Sequence, residues 1–132
     1  YQCGNVLSLI VSCGWGFDMN THSVYLYDTA TGEQMTTAQL LETLQVEPET
    51  FLAAVRQAAA ERFDGKYAGI GGDTDELVAE RRAWTLSDEN INLDVMTYAD
   101  AAGNLYVYLP IGSIAGAASY EEPLTLDLGA AG

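Results

Sequence analysis

The chain has 132 residues, nineteen of them acidic and five basic, for a net charge of −14. That length builds one domain with a real core and leaves no room for two. A surface of this sign repels phosphate backbones and anionic membranes, which disfavours nucleic-acid and membrane-surface binding, and a basic protein would be steered towards it.

All five basic residues (Arg56, Arg62, Lys66, Arg81 and Arg82) lie in the middle of the chain. No apolar run approaches the ~18–20 residues that span a bilayer, so no direct membrane insertion is expected. The chain begins at Tyr1 with neither an initiator Met nor a basic signal-peptide start, which is the expectation for a fragment of a longer protein.

Asn5 to Cys13 reads as a strand. Val6 and Ile10 lie on one face and Leu7, Leu9 and Val11 on the other, so both faces should be largely covered, near the middle of a sheet. Cys3 and Cys13 would sit on this one strand about 33 Å apart if extended. A bridge needs Cα atoms within about 7 Å, so buried free thiols are expected. A loop with Gly14, Gly16, Asp18 and Asn20 leads to a second strand, 21–27. There Val24 and Leu26 alternate with Tyr25 and Tyr27. Asp28 to Glu33 is turn chemistry around Gly32.

Thr36 and Gln39 match a capping box that opens a helix to about Leu44, with Leu40 and Leu41 on its apolar side. Pro48 suits the first position of a longer helix ending near Phe63. Phe51, Leu52, Val55, Ala59 and Phe63 fall within an arc of about 120° on its wheel. Arg62 projects into that arc. Its stem should lie along the sheet while its head escapes to water or meets a carboxylate. Asp73 with Glu76 matches a second capping box for a helix over about 74–83.

Ile91, Leu93 and Val95 alternate with Asn92, Asp94 and Met96, predicting a strand over 91–98. Asp100 to Asn104 is a hairpin turn, and 105–109 completes the hairpin with Tyr106 and Tyr108 on one face. One turn of helix is expected near Ser113, and a short edge strand at Leu124–Leu126. The order predicts a single α+β domain, residues 1–132. Its antiparallel sheet comprises strands at about 5–13, 21–27, 91–98 and 105–109. Three helices, at about 37–44, 48–63 and 74–83, pack on one face.

Little catalytic chemistry is legible. Gly69-Ile70-Gly71-Gly72 lacks phosphate-loop spacing and its lysine. Asp73, Asp75 and Glu76 lack calcium-loop spacing and fit a helix N-terminus. No metal, cofactor or catalytic residue is therefore assigned. His22 is the only histidine, and a Cys13/His22 pair or a carboxylate pair would be the hydrolase alternative. Tyr25, Tyr27, Tyr106 and Tyr108 are the candidate binding residues. Alternation places each pair on one sheet face, where aromatics either stabilise the sheet or meet a ligand.

Tyr25-Leu26-Tyr27-Asp28, then Thr31-Gly32-Glu33 and a capped Leu40-Leu41 helix, resembles the bacterial extracytoplasmic domains known as domain of unknown function 3298. Leu7–Val11 matches the strand preceding that motif. Trp84-Thr85-Leu86 before Ile91–Val95, and Tyr106–Leu109, match later elements, so the likeness runs from Asn5 to Leu124. The chain departs from the pattern at Trp15–Thr21 and Ile114–Tyr120. The resemblance implies a non-catalytic binding or sensory domain of the cell envelope, part of a longer exported protein. Relatives occur in a lysozyme-sensing anti-sigma factor and beside the catalytic domain of a peptidoglycan deacetylase. The implied partner is a basic protein such as lysozyme, or a cell-wall glycan. A structural spacer is the remaining alternative.

Overall fold

The structure, a computed structural model, describes residues 1–14, 20–67, 75–112, 119–120 and 123–131. The glycine-rich stretch Gly69–Gly72, the expected Asp73 cap and the expected turn near Ser113 lie outside these residues. The chain folds as α+β, and the strands among the described residues are divided among three antiparallel sheets. Four strands form the first sheet: β1 (Gln2–Cys3), β2 (Val6–Gly14), β3 (Asn20–Asp28) and β4 (Gln34–Met35), in that order. The second holds β5 (Met96–Ala99), β6 (Leu105–Tyr108) and β9 (Leu124–Thr125). A third pairs β7 (Pro110–Ile111) with β8 (Ser119–Tyr120).

The first two sheets meet without sharing a ladder. Ser8, fully buried on β2, accepts the Ala99 N–H at 3.3 Å. A hydroxyl thus satisfies a donor on β5 that another strand would otherwise have taken.

The helices are α1 (Thr37–Thr43), α2 (Pro48–Lys66), α3 (Asp75–Thr85) and α4 (Leu128–Ala131). The capping box at α1 forms as expected: Gln39 N–H donates to Thr36 Oγ1 at 3.2 Å, and Thr36 N–H to Gln39 Oε1 at 2.8 Å. Pro48 opens α2, which touches α1, α3, α4, β7 and β9. Phe51, Ala54, Val55, Ala59 and Phe63 are buried, whereas Leu52 is only half-buried. Arg62 is half-buried in an open cleft beside Ala58 and Leu124. Arg82 on α3 grips Asp64 on α2 through both ends of its guanidinium, at 2.9 and 3.2 Å.

Gly112 ties the sheets to the helices. Its N–H donates to Thr85 Oγ1 at 2.9 Å, and its carbonyl accepts from the Tyr67 hydroxyl at 3.1 Å. A Cβ there would sit 2.9 Å from Thr85 Oγ1 and 3.0 Å from the Arg81 carbonyl. Only glycine allows this approach.

Four expectations are corrected. The single sheet expected from strands at 5–13, 21–27, 91–98 and 105–109 is divided, the first two strands lying in one sheet and the last two in another. The predicted strand over 91–98 begins at Met96, because Asn92 captures the backbone before it. Its Oδ1 accepts the Asp94 N–H at 2.8 Å, and its Nδ2 donates to the Asp88 and Glu89 carbonyls at 2.9 and 3.0 Å. That local bonding outcompetes a ladder. β2 is covered on one face, and only over its first half: Val6 and Ser8 are buried, while Ser12 and Gly14 farther along that face, and Leu9, Val11 and Cys13 on the other, are exposed. Cys3 is not on the same strand as Cys13, since Gly4 at φ +57° folds Cys3 back opposite Val6. Both thiols are free, but Cys3 is half-buried and Cys13 exposed, because β2 outruns the core.

Candidate functional site

The β2–β3 hairpin is nine residues long on each side, with register Val6↔Asp28 through Gly14↔Asn20. Pleating sends even-numbered residues of both strands inward, as buried Val6, Ser8 and Leu26 show. The odd-numbered ones form the outer face. Its first row crosses all four strands as Gln2, Leu7, Tyr27 and Gln34; then come Leu9 with Tyr25, Val11 with Ser23, and Cys13 with Thr21. None of these side chains is charged, although the chain carries −14. Leu9, Val11 and Tyr25 are 44%, 52% and 41% exposed, so the face is apolar at its centre and rimmed by amides and hydroxyls.

The four candidate tyrosines do not converge. Tyr25 and Tyr27 lie on this outer face. Tyr106 and Tyr108 belong to a stack on the second sheet, where Tyr98 lies parallel to Tyr106 at 5.0 Å and Tyr1 at 5.6 Å, with Tyr108 tilted at 5.9 Å. His22 reaches this stack from the inner face of β3, 4.1 Å from the Tyr108 ring and parallel to it. Tyr108 is buried and Tyr106 half-buried, so these two pack rather than present a free aromatic surface. Burial pushes the Tyr98 phenol well above its ordinary pKa, with Tyr108, Tyr1 and Tyr106 adding to the effect.

The possible Cys13/His22 pair is split by the pleat. Cys13 points outward with Thr21, and His22 inward with Ser12. The partner of His22 is Ser12, whose Oγ lies 2.8 Å from Nδ1. The His22 Nε2 is buried, with no hydrogen-bond partner among the described residues. Sequence reading missed the Ser12, Tyr98, Leu9 and Val11 contributions. Counting the hairpin register from its loop would have placed Ser12 opposite His22 and Leu9 opposite Tyr25.

At the β5–β6 turn, Asp100 collects N–H groups from Ala102 and Asn104 at 2.9 and 3.0 Å and the Tyr106 hydroxyl at 2.9 Å. Asn104 leads the interactions that hold its carboxyl below the usual range. Asp64 is likewise lowered, by its Arg82 hydrogen bond. Both serve structure. Among the described residues no group of three or more His, Cys, Asp or Glu side chains is placed to hold a metal ion, and no helix is long and apolar enough to cross a membrane. No family model matches the chain, and neither the curated proteins nor the solved structures contain a match to it.

Proposed function

We propose that this chain is a non-catalytic binding or sensory domain of the cell envelope that engages a basic protein, lysozyme being the probe of choice. The observation that carries this reading is the uncharged, apolar outer face of the first sheet on a molecule of net charge −14. Charge steers a cationic partner from a distance. Exposed Leu9, Val11 and Tyr25 then offer area that can be desolvated without burying an ion. The resemblance of Tyr25–Asp28, the Thr31-Gly32-Glu33 turn and the Leu40-Leu41 helix to envelope domains points the same way. It also motivates placing the domain outside the cytoplasm.

A second reading, a cell-wall glycan laid on Tyr25 and Tyr27, rests on the flanking Gln2, Gln34, Ser23 and Thr21, which hydrogen-bond without charge. The test is a titration against lysozyme and against peptidoglycan fragments, at low and moderate salt. Saturable lysozyme binding that weakens with salt, and about tenfold with Tyr25→Ala, supports the first reading. Salt-independent glycan binding with the same Tyr25 dependence supports the second. Binding of neither sinks both.

A further inference from the structure

The outer face of β2 and β3 changes character along its length. At one end stand the long side chains Leu7, Tyr27, Leu9 and Tyr25, and at the other the short ones Val11, Ser23, Cys13 and Thr21. Leu9 and Tyr25 share one row and Val11 and Ser23 the next, so the step from long to short falls at the middle of the hairpin. Leu7 and Tyr27 are half-buried and the other six are exposed.

A surface that steps down in this way is complementary to itself. Two sheets pack face to face about 10 Å apart. A gap of that constant width is filled when the long side chains of one sheet meet the short ones of the other. A two-fold axis that lies between the sheets and runs across the strands achieves this. It sets Leu9 of one copy over Val11 of the other, and Tyr25 over Ser23, each contact being made twice. The rows beside the axis keep this match at the ~30° angle of packed sheets. An axis along the strands would instead set Leu9 over Tyr25 and Val11 over Ser23. Long would meet long and short would meet short, leaving a wedge-shaped void.

We propose that this face binds a second copy of the chain in the first of these two-fold arrangements. It holds no charged side chain, so joining two chains of −14 buries no ion. At ~3.3 Å per residue and ~4.8 Å per strand the face measures about 30 by 15 Å. Stacking two copies then removes roughly 900 Å² from water, just under the ~1,000 Å² of a stable interface, so the dimer is weak and reversible. The inference goes beyond the binding-domain reading and does not rest on it, since a basic partner and a second copy would compete for one face.

The test is sedimentation equilibrium of the chain alone, from micromolar to millimolar protein and across a salt series. The expected result is a monomer–dimer equilibrium that salt strengthens, because screening relieves the repulsion between like-charged chains. Val11→Lys and Leu9→Glu each place an unpaired charge in the interface and should weaken the dimer by about tenfold or more. The two variants change the net charge in opposite directions, so a shared loss reports the face. Both positions are exposed in the single chain, and thermal melts at low concentration should match the parent. Mixing the two variants should restore the dimer, because the introduced lysine of one chain then lies against the introduced glutamate of the other.

A chain that stays monomeric at millimolar protein in high salt overturns the proposal. So does a dimer that the charged variants leave intact, or one that mixing them fails to restore. Lysozyme titrated in parallel tells the two readings apart. Lysozyme binding by a chain that stays monomeric leaves the binding-domain reading standing, and dimerisation without lysozyme binding leaves the dimer standing.

Discussion

Gly112 and Thr85 show how much one contact can decide. The Gly112 N–H and the Thr85 hydroxyl meet at 2.9 Å in a buried site, with no space for a Cβ. Gly112→Ala must push β7 off α3 and is expected to cost about 1–3 kcal/mol. Thr85→Val keeps the volume but strands the N–H, at a similar cost of about 1–3 kcal/mol. Urea unfolding of both variants measures this, and unchanged midpoints would refute the contact. Tyr98 gives a prediction in pH. Its phenol is raised in the folded state, chiefly by burial, so the folded chain favours the protonated form. The stability it contributes is complete below an unfolded pKa of about 10 and is lost as pH rises past it. Absorbance titration of the tyrosinates should show a late-ionising class that shrinks in Tyr98→Phe, while Tyr106, raised by its hydrogen bond to Asp100, stays in it.

Elements were legible in the sequence where local chemistry alone decides them. The Thr36/Gln39 box sets the start of α1, and Thr36→Ala should cost about 1 kcal/mol by thermal melt. Pro48 and the apolar wheel found α2, though not its last turn. The Asp100–Asn104 turn was plain from Asp, Gly and Asn spacing, and Gly103 adopts φ +85° as a hairpin needs. Asp64 and Asp100, whose folded pKa values are lowered, lend stability that is present above the unfolded carboxylate range. It is lost as pH falls through their folded values. Asp100→Asn should flatten that acid limb in a pH series of melts. What escaped the sequence was decided at a distance. Alternation at Ile91–Val95 looks like a strand until Asn92 folds its amide onto Asp88 and Glu89. The two-residue β1 and β4 are too short for any periodicity. The apolar run of β2 reads as a central strand, yet only its inner face is covered, which leaves Leu9 and Val11 exposed on the outer one and makes them part of the candidate site.

At the scale of the whole molecule, charge and apolar surface are segregated. The five cations sit on α2 and α3, while the outer face of the first sheet holds no charge at all. Association through that face should therefore strengthen when salt screens the net −14 against a like-charged copy, and weaken when the partner is cationic. Sedimentation across a salt series separates the two. The direction of β1 has a practical consequence. Tyr1 lies opposite Ser8 and the chain runs antiparallel to β2, so any polypeptide joined ahead of Tyr1 is delivered along Leu9, Ile10 and Val11 at high local concentration. A segment placed there continues β1 alongside the second half of β2 instead of leading away from the sheet. Residues added ahead of Tyr1 should therefore slow amide exchange at Ile10 and Ser12, which NMR reads directly.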